Sequence, residues 1–247
     1  MDLTNIPSGT ELYIDGIIMS AGGESNSWDY HRSNWKLQHE IWEHGNQLLS
    51  KPDTSQQDLA AAIIQFQRAV ELRDKLLNKI YGFERIPGRR SASKYTIMVD
   101  LGIIRPTLKI RLRDLRNSLA HEPGEIQISK NECELLSDTA WYYLKVTDRI
   151  TQQYASEVWI DYSSPETGRT LLTLTFETVA WAIKVKGNLS PKHLLTQATP
   201  GCLIVRVDQS EFVKYSGDLK LVGEATGTDS ALWSLVQIFF NESVSDN

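Results

Sequence analysis

The chain has few of the features that mark secreted or membrane proteins. Only two cysteines, Cys133 and Cys202, occur among 247 residues, and their separation does not suit a shared metal. A small cysteine count without a pattern is typical of a reducing cytosol. No apolar run approaches the roughly 18 residues that a membrane helix needs. The opening MDLTNIPSGTELYIDG has no basic segment followed by an apolar core, so no signal peptide is predicted. We expect a cytoplasmic protein without membrane contact.

Motifs for phosphate, dinucleotide and metal sites are also missing. No GxxxxGK, GxGxxG or CxxC pair occurs in the chain. His31, His39 and His44 lie on one predicted helix, but their spacings do not place them on one face of it. His193 stands alone in a predicted loop. We therefore expect neither a cofactor nor a bound metal.

Negative charge is in slight excess overall, but positive charge is locally concentrated. The formal net charge is −5, which excludes a generally basic nucleic-acid coat. Between residues 85 and 116, however, only Asp100 and Asp114 oppose nine bases, giving a local charge of +7. A basic segment of this kind suits a polyanion, although exposed helix faces are often charged without any ligand. The nine bases are Arg85, Arg89, Arg90, Lys94, Arg105, Lys109, Arg111, Arg113 and Arg116.

The hydrophobic pattern changes near residue 155 and predicts an α+β protein. Before that point apolar residues recur at helical spacing, and after it they alternate or form short runs between turns. We predict an antiparallel four-helix bundle over 28–155 and a smaller β-rich domain over 156–247. Residues 1–27 form an N-terminal segment whose apolar stretch could add a strand to the C-terminal sheet. The predicted helices cover 28–49, 56–81, 94–119 with a restart at Pro106, and 129–154. Ser129 and Glu132 predict a capping box at the start of the last helix.

Two details within the predicted bundle and one beyond it leave alternatives open. Trp28, Trp35 and Trp42 recur every seven residues, which favours a buried stripe over stacking with nucleic-acid bases. Arg73 falls on the apolar stripe of the second helix. We expect its stem to pack while the guanidinium reaches water, with a carboxylate partner or a cleft as alternatives. In the β-rich part, residues 231–240 favour a strand over a helix.

The tail of the third helix carries Arg116, Asn117 and His121 within the segment RDLRNSLAHEPG. Arginine can hold a phosphate by a bidentate fork, and histidine can transfer protons near neutral pH. Residues five apart are offset by about 140° on a regular helix, so Arg116 and His121 would point apart. The helix can end before His121, as Pro123 suggests, or two copies can bring one arginine to the other histidine. A plain structural role for His121 at the helix end is the alternative.

These residues suffice in principle for RNA cleavage without a metal. A histidine base would deprotonate the 2′-hydroxyl, and arginine would stabilise the negative charge that grows on the phosphoryl oxygens. Asn117 would orient the phosphate or the imidazole. A second histidine, most simply from another copy, would protonate the leaving oxygen. Three further bases, Arg105, Lys109 and Arg113, would guide the RNA backbone.

The helical part resembles the HEPN superfamily (higher eukaryotes and prokaryotes nucleotide-binding), over about residues 28–155. The residues that carry this resemblance are 101–104, Leu108, Leu112 and 115–121, where the family's Arg-polar-x-x-x-His element falls on Arg116, Asn117 and His121. The resemblance implies a four-helix bundle that forms a homodimer with a cleft at its interface. It also implies a metal-independent endoribonuclease of toxin or antiviral-defence type, leaving 2′,3′-cyclic phosphate and 5′-hydroxyl ends.

The same resemblance leaves a second function open. Some HEPN domains are non-catalytic dimerisation or nucleotide- and RNA-binding modules, which here would serve the β-rich domain. An antitoxin or another defence-system protein is the implied partner. In one toxin branch a tyrosine follows the histidine by two residues and is modified by its partner. Pro123 occupies that position here, so that form of control is not expected.

Overall fold

The computed structural model describes residues 3–30, 34–117, 129–178, 180–227 and 229–244. It confirms a mixed α+β chain and divides it into two compact units. The helical unit comprises Tyr30–Tyr81 and Ala92–Gln153. The sheet unit comprises Met1–Asp29, Gly82–Ser91 and Tyr154–Asn247. Residues Gly82–Ser91 fall within the helical domain predicted from the sequence, but they belong to the sheet unit, where Phe83 stacks on Phe240.

Helix α2 is the centre of the helical unit. The unit contains α1 (Leu37–Leu49), α2 (Gln56–Tyr81), α3 (Lys94–Asp100), α4 (Pro106–Asn117) and α5 (Lys130–Gln152). Helix α2 packs against α1 and α5, and α4 packs against α5. Gly45 lets α1 approach α2 closely, because a Cβ there would lie 2.7 Å from the Phe66 ring. The predicted capping box of α5 is confirmed, with Ser129 and Glu132 each accepting from the other's backbone N–H.

The first helix begins later than the sequence predicted. Residues 24–30 form a strand, β2 (Glu24–Tyr30), and α1 begins at Leu37. Trp28 therefore lies in a strand, and the heptad spacing of three tryptophans was not a helical stripe. The segment Ser-Asn-Ser-Trp-Asp-Tyr contains aromatic residues that favour extended backbone and no strong helix former, which explains the error.

An eight-stranded sheet forms the other unit, with strand order β2-β3-β4-β5-β8-β7-β1-β6. The remaining strands are β1 (Glu11–Ile14), β3 (Gln153–Ser164), β4 (Gly168–Glu177), β5 (Ala182–Leu189), β6 (Leu194–Leu195), β7 (Leu203–Val213) and β8 (Asp218–Thr226). The ladders that join β3 through to β6 are antiparallel. Strand β1 pairs with both β7 and β6, so the N-terminal segment contributes a strand to the sheet.

Residues 231–240 are helical, and the strand predicted there is wrong. They belong to α6 (Asp229–Val244). Phe239 lies 4.8 Å from Phe176 between ring centroids, and Phe240 lies 5.9 Å from Trp181. Leu235, like both phenylalanines, is fully buried. A helix buried on most sides is apolar around its circumference, and its sequence then loses the amphipathic period that identifies a helix.

Both cysteines are buried and free, Cys133 in α5 and Cys202 before β7. Burial raises the pKa of the Cys133 thiol to about 11, and the nearby carboxylates of Glu132 and Glu134 add to the shift. Such a thiol stays protonated at neutral pH and is a poor nucleophile. In the described part of the chain, no helix combines the length and apolar character that crossing a membrane requires.

Candidate functional site

Helix α4 carries Arg116 and Asn117, two of the three predicted catalytic residues, at its C-terminal end. Pro106 occupies its first position, where the missing N–H costs nothing, and Leu112 is fully buried. The helix is described as far as Asn117, which is exposed. Arg116 occupies the last turn, although its side chain is not among those described. His121 lies outside the described residues. The structure therefore locates the backbone of two of the three predicted catalytic residues, Arg116 and Asn117, and describes the side chain of Asn117 alone.

The three bases predicted to guide RNA differ in their contacts. Arg113 is exposed, and its Nε lies 3.7 Å from Asp114. Lys109 is half-buried and donates a hydrogen bond from Nζ to Thr96 Oγ1 at 3.0 Å, so it also ties α4 to α3. Arg105 instead lines a concave surface together with Arg111. Arg111 belongs to the basic segment, but the sequence does not indicate that it lines this concave surface with Arg105.

This concave surface has a volume of about 430 Å³ and lies between α4 and α5. Two of its lining residues, Tyr142 and Val146, belong to a set of four exposed large apolar side chains on α4 and α5: Ile110, Leu135, Tyr142 and Val146. Tyr142 is the most exposed of them at 57%. On α5 the last three recur at spacings of seven and four, so they form one stripe on the outer side of the helix. Large apolar patches of this kind on otherwise polar surfaces mark sites of association.

A second polar cluster centres on Asp148 of α5. Its Oδ1 accepts from Arg73 Nη2 at 3.0 Å and lies 2.8 Å from His39 Nε2. Arg73 also donates to the Leu144 carbonyl and the Thr147 hydroxyl, at 2.9 and 2.8 Å. The Arg73 side chain is completely buried, so the expectation that its guanidinium reaches water is wrong and the carboxylate-partner alternative holds.

Electrostatics explain why this arginine is tolerated inside the helical unit. Burial lowers the pKa of Arg73 from its usual value, and the hydrogen bond and charge of Asp148 oppose that shift. Arginine remains protonated in proteins, so the buried charge must be balanced by an anion. Asp148 supplies that charge and fixes His39 from the same oxygen.

Three partly exposed tryptophans line a groove next to His39. Trp35, Trp42 and Trp141 surround a cavity of about 500 Å³ between α1 and α5. Trp42 is anchored by a hydrogen bond from its indole Nε1 to the Ser137 carbonyl at 3.0 Å. The remaining lining side chains are charged or titratable: Lys36, His39, Glu40, Glu43 and Lys145. The buried stripe expected from Trp35 and Trp42 is therefore an accessible aromatic surface.

Asp74, beside Arg73 on α2, forms a separate buried network. It accepts from Tyr143 at 2.5 Å, from Tyr95 at 2.7 Å and from the ammonium of Lys94. Burial, followed by the negative charge of Asp74, raises the pKa of Tyr143 well above its usual value. The phenol therefore stays protonated and acts as a donor, which suits a structural rather than a catalytic role.

His193, in the sheet unit, has both ring nitrogens engaged. Nδ1 lies 2.6 Å from Thr170 Oγ1, and Nε2 lies 2.7 Å from Thr167 Oγ1. The imidazole is almost completely buried, and burial lowers its pKa from 6.5. These contacts account for His193 as a neutral structural residue.

Within the residues that the structure describes, no group of three or more His, Cys, Asp or Glu side chains is placed to hold a metal ion. Comparisons of the chain with protein-family models, curated proteins and solved structures find no match. The HEPN resemblance therefore continues to rest on the sequence pattern alone.

Proposed function

We propose that the chain is a metal-independent endoribonuclease of HEPN type, acting in a toxin or antiviral-defence system. The observation that carries the proposal is the position of Arg116 and Asn117 in the last turn of α4, with His121 following four residues after Asn117 in the sequence. The last described turn of this helix exposes Asn117 and Arg113 to solvent instead of burying them. An RNA backbone could therefore approach this end of the helix, as cleavage requires.

In the proposed reaction, His121 accepts the proton of an RNA 2′-hydroxyl. The 2′-oxygen then attacks the neighbouring phosphorus, and the bond to the 5′-oxygen breaks. Arg116 stabilises the charge on the phosphoryl oxygens, while Asn117 holds the phosphate or the imidazole in place. The imidazolium of a second copy protonates the departing 5′-oxygen. The products are a 2′,3′-cyclic phosphate and a 5′-hydroxyl end.

A homodimer would supply the second histidine. We place its interface on the exposed apolar stripe of α5, at Leu135, Tyr142 and Val146, together with Ile110 of α4. Arg105 and Arg111 lie at the edge of this surface, where they would contact RNA that crosses between the two copies. The sheet unit would then select the RNA or bind an antitoxin or another defence-system protein.

RNA digestion in excess chelator tests the nuclease proposal. We expect the native chain to cut RNA and the variants His121→Ala and Arg116→Ala to lose at least about 100-fold in rate, because general acid–base and charge-stabilising groups contribute that much. His44→Ala and Arg68→Ala are matched controls, since both side chains are exposed elsewhere on the helical unit. Activity that persists in His121→Ala, or an inactive native chain, would contradict the proposal.

The interface has its own test. Tyr142→Glu places a charge in the centre of the apolar stripe, so we expect a monomer by light scattering and loss of cleavage. Ile64→Glu on α2 is the control, because Ile64 is also exposed, at 49%, but lies outside the proposed interface. A native chain that is monomeric at micromolar concentration would rule out the shared site.

A further inference from the structure

The tryptophan groove between α1 and α5 has the composition of a binding site. Trp35, Trp42 and Trp141 all line the cavity and are partly exposed. The cavity volume of about 500 Å³ falls in the range of small-molecule sites. None of the lining residues belongs to the Arg116–His121 element, so the groove is a separate feature of the helical unit.

The charges at the groove indicate what kind of ligand fits. Lys36 Nζ lies 5.5 Å from the centroid of the Trp35 ring, and Lys145 Nζ lies 5.7 Å from that of Trp141. A cationic ligand that sought these ring faces would meet an ammonium group of the protein at two of the three tryptophans. A planar ligand that carries an anionic group would instead stack on the indoles and pair with the lysines.

Two carboxylates refine the choice. Glu40 and Glu43 line the same groove and form no ion pair within the described residues. Carboxylates accept hydrogen bonds from the exocyclic amino groups of nucleobases, as glutamate does from cytosine N4. They would repel a ligand that was anionic throughout, whereas a nucleotide separates its amino-bearing base from its phosphate.

His39 adds a preorganised polar group. Asp148 is a carboxylate that only accepts hydrogen bonds, so His39 donates to it from Nε2. The completely buried Arg73 holds Asp148 from the other side. Asp148 and Arg73 together fix the orientation of the His39 ring at the groove.

We propose that this groove binds a nucleotide whose base carries an exocyclic amino group, with the base stacked on the tryptophans and the phosphate at Lys36 or Lys145. The nucleotide is either free or part of a single strand. The inference does not depend on the nuclease activity, because it uses other residues and predicts binding instead of cleavage.

Fluorescence anisotropy of a labelled single-stranded oligoadenylate RNA tests the proposal in the full chain carrying His121→Ala, in which we expect cleavage to be at least about 100-fold slower. We expect Trp141→Leu to raise Kd about tenfold or more, since base stacking on an aromatic residue contributes about that much. Lys145→Ala should raise Kd severalfold. The matched controls are Trp159→Leu on β3 and Lys75→Ala on α2, which are also exposed and should leave Kd unchanged.

Competition with mononucleotides distinguishes the two sources of the ligand. AMP that competes as strongly as the oligonucleotide assigns the site to a free nucleotide, and an oligonucleotide that binds at least tenfold tighter assigns it to a strand. UMP should compete less well than AMP, because uracil has no exocyclic amino group.

Equal Kd values for Trp141→Leu and Trp159→Leu would overturn the proposal. Should Trp141→Leu fail to fold, Lys145→Ala decides the matter, because that side chain is 50% exposed and its removal leaves the core intact. If the native chain cleaves RNA normally while the groove variants bind RNA like the native chain, the groove proposal is wrong and the nuclease proposal stands. If RNA binding depends on the groove but the chain cuts no RNA, the nuclease proposal is wrong and the groove proposal stands.

Discussion

The buried pair of Arg73 and Asp148 provides a quantitative test of the helical unit. In Asp148→Ala the guanidinium remains completely buried and loses the only carboxylate with which it pairs among the described residues. It keeps the carbonyls of Leu144 and Trp35 and the hydroxyl of Thr147. These neutral acceptors bind only the two terminal nitrogens, since Nε has no hydrogen-bond partner, and they do not balance the charge.

Removing one partner of a buried ion pair costs about 3–5 kcal/mol. We expect about 3 kcal/mol for Asp148→Ala, because Arg73 keeps several hydrogen bonds and Asp148 is 16% exposed. Arg73→Met should cost less, about 1–2 kcal/mol, since methionine fills much of the same space. It leaves Asp148 beside His39 and within 3.9 Å of Lys145.

The double variant Arg73→Met/Asp148→Ala should regain part of the stability that Asp148→Ala loses. Replacing Arg73 by methionine in the Asp148→Ala background removes the unbalanced buried charge. The double variant should therefore be more stable than Asp148→Ala alone, by about 1–2 kcal/mol. Such a reversal cannot arise from two independent losses of packing.

Urea unfolding followed by far-UV circular dichroism measures these free energies. Asp138→Ala is the matched control, because Asp138 is an exposed carboxylate on the same helix and should change stability by less than about 0.5 kcal/mol. The reasoning is refuted if Asp148→Ala resembles this control, or if the double variant is the least stable of the series.

Three further outcomes are expected. Tyr143→Phe removes a buried donor to the Asp74 carboxylate and should cost about 2 kcal/mol by urea unfolding; a loss below about 0.5 kcal/mol would contradict its role. Gly187→Ala should cost at least about 2 kcal/mol, because its Cβ would lie 2.1 Å from the Leu171 carbonyl oxygen at φ +155°; an unchanged Tm would contradict this clash. Burial lowers the pKa of His193 below 6.5, so the unfolded chain binds more protons than the folded one as pH falls through this region. Its stabilising contribution is complete above about pH 6.5 and declines below it toward the lowered pKa, and His193→Gln should flatten the measured dependence of unfolding free energy on pH.

Local signals in the sequence predicted the helices best where the chemistry of helix ends was explicit. Pro106 correctly marked the start of α4, and Ser129 with Glu132 marked that of α5. These signals act through the backbone groups of a few neighbouring residues, so they do not depend on the rest of the fold. Residues 24–30 form a strand and residues 231–240 a helix, so at both places the local pattern alone predicted the wrong structure.

The side-chain environment was harder to predict than the helix bounds. Arg73 appeared as an ordinary interruption of an apolar stripe, because its partner Asp148 lies 75 residues away in sequence. Likewise, the sequence shows the basic segment that includes α4. It does not show that Lys109 donates a hydrogen bond to Thr96, or that Arg105 and Arg111 line one concave surface. Periodicity gives the direction of a side chain relative to its own helix, whereas its partners depend on how the helices pack.

The Asp148 cluster connects the stability of the helical unit with the proposed nucleotide groove. One oxygen, Asp148 Oδ1, contacts Arg73 in the interior and His39 at the groove. Packing apolar residues in place of Arg73 and Asp148 would give a similar or greater stability, so stability alone does not account for a buried ion pair. A fixed imidazole next to three accessible tryptophans gives the pair a second role. The double variant that regains stability should therefore still bind nucleotide more weakly than the native chain, because His39 has lost its anchor.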